Sequence, residues 1–461
     1  MEGRHLFYDS FAVRSAIAVD DETETALVKG RSLPLILAVS ILVLGALGCG
    51  TPVPHSDAVD SCALTLAPHS GDAAIDREII RLQQTAGASG GRSRALELLG
   101  WAYVQKARVS YDPGFYKLAE QCAICIETRH PDSEEALLLR GHVFYSLHRF
   151  QEAEGIARRM AETRGAPFDY GLLGDALMEQ GRLNEAVEAY QKMIDLKPGP
   201  HSYTRVAHIR WLKGDLEGAI EMMRKAAAAM SPRDTEASAW AYTRLALYEL
   251  QAGSVKGAER ACGVALQLQK DYAPALLARG RVLLAENRNA EAVQLMQQAE
   301  SVNPLPEYRW LLAEGLRAVE RTDEALAVED GLRRSGAAED PRTFALFLAT
   351  RGEQPETALL LVEREVKSRV DVFTLDALAW SLASAGRVSE ARDPMRRALA
   401  EGTKDARLFY HAGTIAALDG RKQEARLMLN KAASIKQMLL PSEREGLSRT
   451  LAELRTGGAA F

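Results

Sequence analysis

The sequence predicts an all-α chain, a solenoid of about ten stacked helix pairs with a C-terminal capping helix. Three observations predict it. From residue 93 onward, small residues recur at fixed places on a period of about 34 residues. Ala, Leu, Glu and Arg dominate, while aromatic residues make up only 6%, a balance that favours helix. No segment alternates apolar and polar residues as a half-buried strand would.

Length fits this architecture. A chain of 461 residues would otherwise suggest about three globular domains, but a solenoid grows by stacking and needs no enlarged core. Apolar residues at 47% supply enough surface to bury. The 57 basic and 62 acidic residues give a formal charge of −5, without the basic surplus that a nucleic-acid partner would need.

Residues 1–48 form a leader, not part of the fold. Ser32 to Gly48 is an uncharged apolar run preceded by Lys29 and Arg31 and followed by Cys49. The Ala46-Leu47-Gly48-Cys49 junction resembles the lipobox of bacterial lipoproteins, with Ala46 where Leu is usual. That resemblance implies cleavage before Cys49 and lipid, palmitate included, on its thiol. A single N-terminal membrane helix or plain secretion are the other readings, since the run is at the short limit for spanning hydrocarbon. The mixed polarity of residues 1–27 suggests a true start near Val28. Residues 49–73, rich in Pro, Ser, Gly and Asp, are expected to be a flexible tether, the solenoid to cover 74–457, and 458–461 to be a tail.

Within the repeat, each unit has a first helix with a small residue at its eighth place, a turn often made by Gly, and a second helix carrying two Ala. Short side chains let two antiparallel helices approach closely, and a closing Pro stops the second. The clearest unit runs PFDYGLLGDALMEQGRLNEAVEAYQKMIDLKPGP, with Gly174, Gly181, Ala186, Tyr190 and Pro198 at the marked places. The same grid fits Gly214, Ala219 and Ala226, then Gly280, Ala292 and Ala299, and late in the chain Gly386, Ala391 and Ala398. Ser110 to Gly114 is an insertion in the first unit, and Pro441 to Arg455 forms the cap. This pattern resembles the tetratricopeptide repeat superfamily over about three quarters of the chain, and more narrowly bacterial multi-repeat lipoproteins of undetermined role. The resemblance implies a right-handed superhelix that binds protein.

No nucleotide-loop, dinucleotide, zincin or nucleophile-elbow motif is present, so no enzyme, catalytic residue, cofactor or metal is expected. Cys122 and Cys125 form a CxxC inside a predicted helix without a second pair, which favours core packing over zinc or redox chemistry. His201 and His208 lie two turns apart on one helix, too far to share a metal. Asp376 and His411 fall at neighbouring places of adjacent units and are expected to pair across the repeat boundary.

In the repeat family the first helices line the concave groove through places 2, 5, 9 and 12. On this grid all five tryptophans, Trp101, Trp211, Trp240, Trp310 and Trp380, take such places. His208, Arg281, Glu314, Arg317, Asp376, Tyr410 and Thr414 share the wall with them. Large rings exposed in a groove would dominate the energy of a bound partner. The expected ligand groove is therefore Trp101, His208, Trp211, Trp310, Asp376, Trp380 and Tyr410. The expected function is a protein-interaction scaffold or adaptor at the bacterial envelope, facing the periplasm or exterior and gripping a peptide or protein segment. The other expectation is a structural accessory subunit of an envelope assembly, secretion or cell-wall complex.

Overall fold

The structure is a computed structural model that describes residues 60–88, 93–231 and 233–456. The leader, Cys49 and the tail 458–461 lie outside these residues. Among the described residues there are twenty-three α-helices and no strand, and no helix is long and apolar enough to cross a membrane.

After α1 (Ser61–Thr65) and α2 (Ala74–Ala88) come ten antiparallel pairs. They are α3 (Ser93–Ser110) with α4 (Gly114–Glu127), α5 (Glu134–Ser146) with α6 (Phe150–Thr163), and α7 (Pro167–Glu179) with α8 (Leu183–Leu196). Next are α9 (Pro200–Leu212) with α10 (Leu216–Ala229), α11 (Thr235–Gln251) with α12 (Val255–Leu268), and α13 (Ala273–Ala285) with α14 (Asn289–Val302). The last four are α15 (Pro306–Ala318) with α16 (Thr322–Glu339), α17 (Pro341–Arg351) with α18 (Pro355–Glu365), α19 (Val372–Ser384) with α20 (Val388–Leu399), and α21 (Ala406–Leu418) with α22 (Lys422–Ser434). A 3-10 turn, Lys436–Met438, leads into the cap α23 (Pro441–Thr456).

The third pair shows why the sequence folds this way. Pro167 opens α7, where its missing N–H costs nothing, and the Asp169 carboxylate accepts the Ala166 N–H at 2.8 Å. In α8, Leu183, Ala186, Tyr190 and Met193 are buried, a stripe at helical spacing. A Cβ on Gly174 would collide with the Tyr190 ring, which Asp175 fixes by accepting its hydroxyl at 2.8 Å. The small residue at the eighth place is therefore a condition for closure of the pair.

A one-dimensional solenoid would leave each unit touching only its neighbours. This one winds tightly enough for successive superhelical turns to meet. The Val370 N–H donates to the Glu179 carbonyl at 3.0 Å. Thr403 Oγ1 donates to the Leu212 carbonyl at 2.5 Å, and Lys213 Nζ reaches Glu401 at 2.6 Å. Gln437 Nε2 donates to the Leu250 carbonyl at 2.9 Å, and Arg444 Nη1 to that of Leu284 at 3.0 Å. The bonds from Lys213, Thr403 and Gln437 join residues 187 to 191 apart, so the seam keeps one register along the third to fifth pairs, while Arg444 reaches back only 160 residues.

Charge is buried in this seam. Arg369 Nη2 lies 2.6 Å from Glu179 and its Nε 2.9 Å from Asp371, while Arg342 reaches Asp371 at 3.3 Å. Burial raises the Glu179 pKa despite Arg369. Burial also works against the Asp371 carboxylate, but Arg369 and Arg342 beside it hold its pKa below the usual value.

The seam explains two glycines. Gly214 has φ +83°, and a Cβ there would stand 2.6 Å from the Gly402 carbonyl oxygen of the next turn. Gly386 has φ +75° at the equivalent helix end but open space around it. Both Ala substitutions strain the backbone by about 1 kcal/mol. Gly214→Ala should cost about 1–2 kcal/mol more, because it also wedges the seam. Urea midpoints of the two variants check this, and equal midpoints would refute the wedge.

The N-terminal expectations need correction. Residues 60–73, expected within the tether 49–73, instead pack onto the first pair. Cys62 and Cys125 form a disulfide with a Cα–Cα distance of 5.0 Å, so Cys125 is not simply a core filler and Cys62 is not a free linker residue. Tyr103 donates to the Thr65 carbonyl at 3.0 Å and Gln83 to that of Ala67 at 2.6 Å. Asp76 is held by His69 at 2.7 Å and Lys106 at 2.8 Å. A five-residue helix is below the length that forms unaided; the cross-link and these bonds supply what its sequence lacks. Cys122 remains a buried thiol, its pKa pushed up by burial, and burial pushes the Cys262 thiol up to about 12.

Candidate functional site

The first helices of seven successive pairs, α9 to α21, meet on the inside of the superhelix. Where the turns close on one another, the interior narrows to a part-open chamber of about 200 Å³. Its wall takes Trp211 from α9, Trp240, Arg244 and Tyr248 from α11, Leu277 and Arg281 from α13, and Tyr308, Trp310 and Leu311 from α15. Arg342 and Leu346 of α17, Phe373 and Asp376 of α19, Arg407 of α21 and Met438 complete it. The second residues of five successive first helices, Pro274, Glu307, Arg342, Phe373 and Arg407, all reach this one space.

Trp211 packs against Phe373 at 5.4 Å and Tyr248 at 5.5 Å, and its Nε1–H donates to the Lys404 carbonyl across the seam at 3.2 Å. Trp310 is only 1% exposed, with the Arg407 guanidinium over its ring at 4.9 Å and Phe347 at its edge at 6.0 Å. The Trp310 Nε1–H is buried without a hydrogen-bond partner. Arg407 donates through Nε to Glu443 at 2.6 Å, and Arg281 through Nη2 to Glu307 at 2.7 Å. Asp405, also in the wall, accepts the Leu408 N–H at 3.0 Å, and burial raises its pKa.

The expected groove residues are thus only partly brought together. Trp211, Trp310 and Asp376 share the chamber. His208 lines a smaller space of about 50 Å³ next to it, with Trp240, Arg244 and Tyr248 common to both. His208 Nδ1 is 3.0 Å from the Tyr248 hydroxyl, and burial with the Arg244 charge lowers its pKa to about 3. Trp380 and Tyr410 are outside the chamber wall. Trp380 stacks on His411 at 4.1 Å and donates to Thr350 at 3.1 Å, and Tyr410 packs beside it at 5.9 Å. Trp101 is half-buried and lines neither space, edge-on to His142 at 4.7 Å. The other four tryptophans are less than a tenth exposed, so the open wall of rings expected from the repeat grid is instead a set of rings packed between helices and turns. Of the remaining expected wall residues, Arg281 lines the chamber, Glu314 accepts Ser442 across the seam at 2.8 Å, and Arg317 pairs with Glu329 at 2.8 Å.

Asp376 and His411 meet as the spacing predicts, with Nδ1 at 3.0 Å from the carboxylate and both side chains buried. The pair ties α19 to α21. Among the described residues no group of three or more His, Cys, Asp or Glu is placed to hold a metal ion. Sequence reasoning missed Arg244, Tyr308, Arg342, Phe373 and Arg407. Apart from Arg244 and Tyr308 these sit at the second place of their helices, so following every residue on the grid, and not tryptophan alone, would have found them.

Family models described as tetratricopeptide repeat match residues 167–200, 200–229 and 377–437. No curated protein matches the chain. Among solved structures, that of the MamA protein is similar at 22% identity over 37% of this chain and 91% of that chain, with a TM-score of 0.30. The human IFIT1 dimer with m7Gppp-AAAA is 14% identical over 70% of this chain and 76% of that chain, at a TM-score of 0.47. The Cut9–Hcn1 hetero-tetramer of the APC/C is 14% identical over 78% and 76%, at 0.40.

Proposed function

We propose, from the premise that this is a tetratricopeptide-repeat protein, that it is a non-catalytic scaffold for protein partners, held at the non-cytoplasmic face of a bacterial membrane by lipid on Cys49. Of the expected groove residues Trp101, His208, Trp211, Trp310, Asp376, Trp380 and Tyr410, the partner would meet Trp211, Trp310 and Asp376, which share the chamber wall. The observation that carries the binding part is the convergence of Trp211, Trp310 and Asp376 on one chamber. Because the seam narrows the interior, a partner would offer one anchoring side chain at a time, not a long extended segment.

The Cys62–Cys125 disulfide supports the compartment, since such bonds persist outside the reducing cytosol. The apolar run and the Gly48-Cys49 junction support the anchor. Labelling with a fatty-acid analogue in wild type and Cys49→Ser is expected to mark only the wild type; equal labelling of both would overturn the lipid anchor. The seam also favours a second reading, an accessory subunit of an envelope complex that uses the closed superhelix as a rigid spacer. Crosslinking in intact envelopes followed by pull-down separates the two: exchangeable ligands support the scaffold, and one fixed stoichiometric complex supports the subunit.

A further inference from the structure

The chamber has the features of a small-molecule site, apart from any role in holding a protein. Its volume of about 200 Å³ exceeds the roughly 150 Å³ of an apolar cavity that admits benzene, so a fused ring pair is the matching size. Ligand sites of this kind combine apolar and aromatic walls with a few convergent polar groups. Here Trp211, Tyr248, Trp310 and Phe373 belong to the aromatic part of the wall. The polar groups beside them are donors. Arg407 engages Glu443 through Nε, one of its five N–H donors, and Arg281 engages Glu307 through Nη2. The carboxylates in the wall are already engaged: Glu307 by Arg281, Asp376 by His411, and Asp405 by Leu408 N–H and Gln251. The space therefore offers guanidinium donors beside an aromatic and apolar wall, a combination suited to an anion on an aromatic ring.

We propose that this chamber binds a small aromatic carboxylate, its ring against the aromatic and apolar wall and its carboxylate at the Arg281 and Arg407 guanidinium groups. A carboxylate suits the planar guanidinium fork, which donates two parallel hydrogen bonds to it.

The test titrates the full chain calorimetrically with 2-naphthoate, with neutral 2-naphthalenemethanol and with cationic 2-naphthylmethylamine. Naphthoate is expected to bind at least about tenfold more tightly than the alcohol, and the amine not at all, because charge-assisted bonds distinguish the three. Arg281→Gln, whose partner Glu307 is partly exposed, should keep the wild-type melting temperature and lose about tenfold in naphthoate affinity. Leu346→Trp, which fills the chamber, should abolish binding; if that variant fails to fold, Arg281→Gln decides alone. Absence of naphthoate binding, equal binding of the three compounds, or naphthoate affinity unchanged in Arg281→Gln would each overturn the proposal. The site stands independently of the scaffold reading: a failed pull-down leaves the naphthoate result intact, and a failed titration leaves partner capture intact.

Discussion

Arg369→Ala should destabilise the protein by about 3–5 kcal/mol, the cost of leaving buried carboxylates without their counter-charge. Arg369 stands between Glu179 at 2.6 Å and Asp371 at 2.9 Å, and all three side chains are nearly inaccessible. Removing the guanidinium leaves Arg342 at 3.3 Å as the nearby cation for Asp371, and leaves Glu179 with the Tyr145 hydroxyl at 3.3 Å. The charge in this place matters more than the contact area, so a double variant, Arg369→Met with Glu179→Leu, should recover much of the loss. Urea denaturation of the single and double variants measures both quantities. A single variant within about 1 kcal/mol of wild type would mean that the seam carries no buried ion cluster of consequence.

Trp310→Ala should cost a similar amount, about 3–5 kcal/mol, as for other large aromatic truncations in cores. The repeat grid alone suggests the opposite, an exposed ring whose loss weakens binding and spares stability. The ring is 1% exposed, lies under Arg407 at 4.9 Å and meets Phe347, so its removal leaves a cavity. Leu173→Ala, in the helix-packing core, is the comparison, and the two should melt alike. Trp101→Ala, at a half-buried ring in the first pair, should melt closer to wild type. If Trp310→Ala melted with the wild type while Leu173→Ala fell, the ring would be an exposed groove residue after all.

Much of the architecture was legible because it follows from local rules repeated ten times. Gly174, Gly181 and Ala186 announce the approach of two helices and the turn between them, and the contact partner is a few residues away. The seam was not legible, because its partners lie 128 to 193 residues apart and depend on superhelical pitch. Small rotations between units set that pitch, and no single residue states them. Gly214 shows the ambiguity: its positive φ explains it as a helix end, and nothing in the sequence adds that Gly402 must pass against it. The groove residues failed for the same reason. Places 2, 5, 9 and 12 do face inward, as Trp211, Arg281 and Arg407 show; whether inward means open depends on how closely the turns wind. The Cys62–Cys125 pairing was hidden differently, since four other cysteines gave each thiol several possible partners.

The regular register of the seam has a consequence for how the molecule comes apart. In an array coupled only to nearest neighbours, terminal repeats fray first and melting spreads inward, unit by unit. Here the third, fourth and fifth pairs lean on the chain that follows the eighth, ninth and tenth. Losing the last pair therefore exposes a surface in the middle of the array as well as at its end. The array gains cross-links in a second dimension, and its unfolding transition should be sharper and more nearly all-or-none than the length of the solenoid alone would give.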